Sequence, residues 1–116
     1  MLDGFYVGYM AANEYGVVLF VFKGSNIVGV DAGGVKFDGS YAQDDTTKAY
    51  RGNITVDAPP NIDLVQGVNT GANGLRYEVP FTMPETFLSA PFIKVDTPFG
   101  PVNIKLEKLR DLGGAA

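Results

Sequence analysis

The chain has neither histidine nor cysteine in its 116 residues. Their absence removes Ser-His-Asp and Cys-His nucleophilic sites, ordinary zinc sites and the commonest general base near neutral pH. Disulfides are excluded as well, which suits a reducing compartment, and a cytoplasmic location is the expectation. Long apolar runs are also lacking. The strongest, Val17 to Phe22, is far too short to cross a bilayer, so no membrane role is expected. At the N-terminus, MLDGFYVGYM carries Asp3 where a secretory signal needs Lys or Arg, so export by a standard signal is not expected either. Positive charge is scarce: nine Lys and Arg stand against thirteen Asp and Glu, for a net charge of −4. Direct nucleic-acid binding, which requires a basic face to neutralise phosphates, is therefore disfavoured. Lys105, Lys108 and Arg110 do cluster, but Glu107 and Asp111 are interleaved with them, as in a self-compensated strand.

What is present reads as β-structure. A chain of this length fits one domain that buries roughly two thirds of its unfolded surface, enough to fold without metals or cross-links. Segments of alternating polarity recur at short intervals, separated by turn residues, and no 3.6-residue period is long enough to form a helical layer. They are Phe5 to Ala11, Tyr15 to Lys23, Ile27 to Asp31, Val35 to Ala42, Tyr50 to Val56, Leu75 to Met83, Phe92 to Val95 and Val102 to Leu109. The expected fold is all-β, a small antiparallel barrel of the lipocalin or calycin kind over residues 1–112. The tail 113–116 is expected to be disordered. Pro80 cannot donate a ladder hydrogen bond, so its strand should lie at an edge or carry a bulge. Pro84 to Pro91 offers a helical turn at most, and Asn61 to Gly74 reads as loop with room for a short strand.

One strand departs from alternation. In Val17 to Phe22, Phe20 and Phe22 share one face with Val18, while Val17, Leu19 and Val21 form an equally apolar opposite face. A barrel interior covers only one of the two. Val17, Leu19 and Val21 are therefore assigned to a dimer interface, because an exposed apolar stripe is an association site. Phe20, Phe22, Phe37, Tyr41, Tyr50, Tyr77 and Phe81 are assigned to the barrel interior, as core or as the lining of a ligand cavity.

The acidic residues do not assemble chemistry. Asp44 and Asp45 are adjacent at a turn and point apart, unlike the facing carboxylates of a glycosidase. Asp31, Asp38, Asp44 and Asp45 lack the spacing of a calcium loop, and Asn69 to Gly74 lacks the Gly-Lys-Ser/Thr of a phosphate loop. No enzyme activity, metal or cofactor is expected. Asn53-Ile54-Thr55 matches a glycosylation acceptor but falls within a strand.

The stretches DGFY, KGSNIVGVDAGG, KFDGSYAQDD and GPVNIKLEKL together resemble the type III secretion negative-regulator family typified by GrlR. The resemblance spans most of the chain and is weakest over Asn61 to Gly74. It implies a cytoplasmic, dimeric, lipocalin-like barrel that sequesters a transcriptional activator rather than binding DNA. In that family an exposed hairpin with a Glu-Asp-Glu-Asp run touches the partner, and the corresponding residues here are Ala42, Gln43, Asp44 and Asp45. Gln43, Asp44 and Asp45 are the partner-binding residues implied by the resemblance, and a plain turn cap is the other reading of the two aspartates. Two functions follow as expectations: a regulatory protein-binding module, or a carrier of a small apolar, lipid-like molecule.

Overall fold

A computed structural model describes residues 2–113. Eight strands follow one another: β1 (Gly4–Ala11), β2 (Tyr15–Lys23), β3 (Asn26–Asp31), β4 (Lys36–Gln43), β5 (Tyr50–Ala58), β6 (Leu75–Met83), β7 (Ile93–Thr97) and β8 (Gly100–Asp111). All pairings are antiparallel, in the order β6-β5-β4-β3-β2-β1-β8-β7. This is an up-and-down meander wrapped into a barrel. β6 and β7 lie side by side at its seam without a hydrogen-bonded ladder between them, so the barrel is nearly closed. Among the described residues no helix is long and apolar enough to cross a membrane.

The alternation in the sequence sets which way each strand faces. Val18, Phe20 and Phe22 of β2 point inward and are buried, while Val17 and Leu19 point outward and are half exposed. The hairpin between β2 and β3 has Gly24 and Ser25 at φ 57° and 70°. Two successive positive φ values give a two-residue turn whose twist matches that of the strands it joins. Lys23 pairs with Asn26 across it. Pro80 lies on β6, an edge strand of the ladder at the seam, as its missing N–H requires. The segment Pro84 to Pro91 forms successive turns, closed by Phe87 N–H to the Pro84 carbonyl and Ser89 N–H to the Thr86 carbonyl. Of the tail 113–116, only Gly113 is among the described residues, and it lies in a turn.

Because the chain runs up and down, its connections fall at two ends. One end collects the β2–β3 turn, the β4–β5 turn and the β6–β7 segment; the other collects the β1–β2, β3–β4 and β7–β8 turns and the long β5–β6 loop. The core forms two buried clusters: the larger runs from Tyr6, Phe22, Tyr41 and Phe87 to Met10 and Val102, and a second holds Val35, Val56, Ala58, Leu64 and Val79.

Candidate functional site: a hollow barrel with one stoppered end

Aromatic rings fill the end of the barrel that receives the β6–β7 segment. Tyr6 stacks at a tilt on Phe22 with ring centroids 4.5 Å apart, and Tyr41 meets Tyr50 edge-on at 5.8 Å. Phe87, delivered by the turns after β6, meets Tyr50 edge-on at 5.9 Å and is almost fully buried. Offset and edge-on pairs are the favourable arrangements for ring quadrupoles, so this plug is held by specific geometry as well as by burial. Its polar atoms are unequally served. Tyr6 Oη donates to the Leu2 carbonyl at 2.6 Å, whereas Tyr41 Oη is buried with no hydrogen-bond partner among the described residues. Burial pushes both phenols above the usual tyrosine range, because the ionised form is poorly solvated there.

Beyond the plug the barrel is hollow. A cavity of about 540 Å³ extends toward the opposite end. Phe20, Phe37, Ile54, Val79, Phe81 and Val95 are among the side chains of its wall, which is overwhelmingly aliphatic and aromatic. The volume lies within the ~300–1,000 Å³ of small-molecule sites. Polar groups enter only near the mouth, where Asp31, Asp63, Gln66, Tyr77 and Thr97 contribute to the lining. No lysine or arginine lines the cavity.

The mouth is covered by residues 59–74, the β5–β6 loop. Its two limbs are tied by Thr70, buried within the loop, whose N–H donates to the Ile62 carbonyl at 2.8 Å and whose hydroxyl donates to the Pro59 carbonyl at 2.6 Å. A single bridge, Asp63 to Asn69, is all the strand pairing the loop contains. Leu64 turns inward and is buried, and Val65 accepts from Glu14 N–H at 2.9 Å, docking the loop on the β1–β2 turn. Gln66 crosses the seam. Its Nε2 donates to Tyr77 Oη of β6 at 3.3 Å and to Thr97 Oγ1 of β7 at 3.1 Å. Tyr77 also meets Phe99 edge-on at 5.1 Å, so side chains join the two strands where backbone bonds do not. Burial raises the Tyr77 phenol, and the Gln66 contact opposes that shift.

The seven aromatic residues assigned to the interior divide between these two regions. Phe20, Phe22, Phe37, Tyr77 and Phe81 line the cavity, while Tyr41 and Tyr50 belong to the plug and are not part of the cavity wall. The carboxylate of Asp44 caps its own turn: Oδ1 accepts from the N–H groups of Thr46 and Thr47 at 2.8 Å each. The Thr47 N–H, then that of Thr46, holds this carboxyl below the usual aspartate range. Gln43 Nε2 donates to the Lys48 carbonyl at 3.0 Å, which leaves Asp45 exposed at the hairpin tip. The two readings of the pair therefore divide between its members, with Asp44 a cap and Asp45 available to solvent. Val17, Leu19 and Val21 all face outward.

Two features of the site have little signal in the sequence. Leu64, Val65 and Val68 are the sequence's trace of a docked loop, and Phe87 is one apolar residue in a turn-rich segment. Comparison with protein-family models, curated proteins and solved structures gives no match for this chain.

Proposed function

We propose that this barrel binds one small, mostly apolar molecule, end-on, with its uncharged or cationic head at the mouth. The observation that carries the reading is the cavity of about 540 Å³, apolar along its depth and polar only beneath the loop 59–74. An alkyl or isoprenoid-like chain gains roughly 0.8 kcal/mol per methylene taken out of water, so a wall of this chemistry favours a hydrocarbon occupant. The head is constrained by charge. Asp31 and Asp63 lie at the mouth and, among the described residues, no Lys or Arg lines the site, so a ligand carboxylate would face like charge without a partner. A hydroxyl, amide or amine would instead find Gln66, Tyr77 Oη and Thr97 within the same region.

The test is a competition series. An uncharged, environment-sensitive apolar dye is bound to the purified protein and displaced by a long-chain alcohol, the amine of the same length and the carboxylate of the same length. Saturable dye binding, with alcohol and amine displacing at lower concentration than the carboxylate, is the expected result. A carboxylate that displaces as well as the alcohol contradicts the head-group assignment, and a dye that never saturates contradicts the site. The alternative reading, capture of a transcriptional regulator by the β4–β5 hairpin, draws support from the exposure of Asp45 alone, because Asp44 and Gln43 are engaged inside their own turn.

A further inference from the structure

Four strands present glycine to the interior in the layer next to the aromatic plug. Tyr6, Phe22, Tyr41 and Tyr50 touch one another in turn around the plug, and Ile27 pairs with Phe22. Gly8 stands two residues from Tyr6 on β1, Gly29 two from Ile27 on β3, Gly39 two from Tyr41 on β4 and Gly52 two from Tyr50 on β5, on the mouth side in every case. Large side chains of neighbouring strands lie over these glycines. A Cβ at Gly29 would stand 2.6 Å from Phe20 Cδ1 and one at Gly8 2.8 Å from Phe20 Cε2, so opposite edges of that ring rest on the two strands flanking β2. A Cβ at Gly52 would stand 2.6 Å from Phe81 Cζ, and one at Gly39 2.8 Å from Ile54 Cγ1. Phe20 and Phe81 belong to β2 and β6, four places apart in the order of eight strands and so on opposite walls. Each ring lies along its wall because an adjacent strand lacks a side chain there; with a Cβ in that place, the ring could only turn toward the barrel axis.

We infer that these glycines set the bore of the cavity floor, and that the apolar end of the ligand is correspondingly broad, a ring or a branched terminus in place of a single straight chain. The inference rests on the apolar-ligand reading of the cavity and deepens it. A ring laid on the wall projects its thickness into the lumen, and an upright ring projects its length. Two flattened rings on opposite walls therefore widen the space where the ligand's tail ends. A straight chain leaves gaps beside it at that level, and lining atoms that face a gap forfeit their dispersion contacts. A broad terminus restores those contacts on both sides. Gly8 isolates the effect best. It does not have positive φ, so its need for glycine is steric, and the atoms nearest to a Cβ there all belong to the side chains of Phe20 and Leu106. At Gly29 the Leu19 carbonyl intrudes as well, at 2.9 Å. Gly8 is thus a positioning residue that acts through Phe20.

The test displaces an uncharged apolar dye from the full chain with two alcohols of equal carbon number, one straight and one ending in a cyclohexyl ring. Area burial alone favours the straight alcohol, which has the larger apolar surface, so a preference for the ring reports the shape of the floor. Wild type is expected to release the dye at several-fold lower concentration of the ring-ended alcohol. Gly8→Ala, which tips Phe20 into the lumen, should lose that preference, the ring-ended alcohol weakening more than the straight one. G8A/F20L should recover it, because the shorter side chain clears the new methyl group. Circular dichroism checks that each variant keeps the β-rich spectrum, and the wild-type comparison stands without the variants. Saturable dye binding with equal displacement by the two alcohols, or with the straight one favoured, overturns the broad floor and leaves the cavity reading standing. A Gly8→Ala form that weakens both alcohols equally, or a double variant that fails to recover, overturns the seat of Phe20 as its cause. A dye that never saturates overturns the cavity reading itself, and this inference with it.

Discussion

At the scale of single residues, two tyrosines in one aromatic plug should respond oppositely to losing a hydroxyl. Tyr6 Oη has a good acceptor in the Leu2 carbonyl, so Tyr6→Phe removes a hydrogen bond and leaves that carbonyl without it, at a cost of about 1 kcal/mol. Among the described residues Tyr41 Oη is buried without a well-formed hydrogen bond, the nearby Leu2 backbone only partly offsetting its burial, so Tyr41→Phe removes a desolvated polar atom and should stabilise by about 0.5–1 kcal/mol. Urea denaturation of the two variants beside wild type measures both, and equal destabilisation would contradict this description of the plug. Asp44 gives a pH prediction. Its folded pKa is depressed by the Thr47 and Thr46 N–H groups, so its contribution to stability is present above the ordinary aspartate pKa of about 4. That contribution is lost as pH falls through the lower folded value. Asp44→Asn should therefore melt below wild type at neutral pH and converge with it in acid. A difference between the two that stays constant with pH would show that the charge on the cap is irrelevant.

At the scale of elements, β4 and β5 are drawn close by two glycines. A Cβ at Gly39 would strike the Asn53 carbonyl and Ile54, and one at Gly52 would strike the Ser40 carbonyl and the Phe81 ring. At each glycine the nearest atom is a backbone carbonyl, which cannot swing away, so Gly52→Ala should cost about 1–3 kcal/mol through overpacking, read as a lowered urea midpoint. A neutral substitution would mean that the strands can part there. Most elements were legible in the sequence for a local reason. Period-two alternation in Leu75 to Met83 and in Tyr50 to Val56 reports which side of a sheet is covered, and Pro80 reports an edge. The loop 59–74 was not legible, because its order comes from Thr70, Leu64 and Gln66 reaching non-local partners that no periodicity announces. Val17, Leu19 and Val21 were legible as a second apolar face; that β1 and β3 extend it into rows emerges only from the strand register.

At the scale of the whole molecule, the ring of inward side chains was legible, but its hollowness was not. Phe20, Phe37 and Phe81 would occupy the same inward positions in a filled barrel and in an open one, since alternation fixes direction and not the distance across the interior. What keeps the space open is the division of labour between ends: the Tyr6, Tyr41, Tyr50 and Phe87 plug at one, and the Gln66-pinned loop at the other, with aliphatic wall between. The central claim is that this space is a binding site. It is tested most directly by titration calorimetry with a long-chain alcohol, comparing wild type with a variant whose cavity is filled by Ile54→Trp and Val79→Phe. Wild type is predicted to bind at one site with a negative heat-capacity change, the mark of apolar burial, while the filled variant keeps its β-rich spectrum and binds at least about tenfold more weakly. Equal binding by the two proteins, or no binding by wild type, would contradict the account.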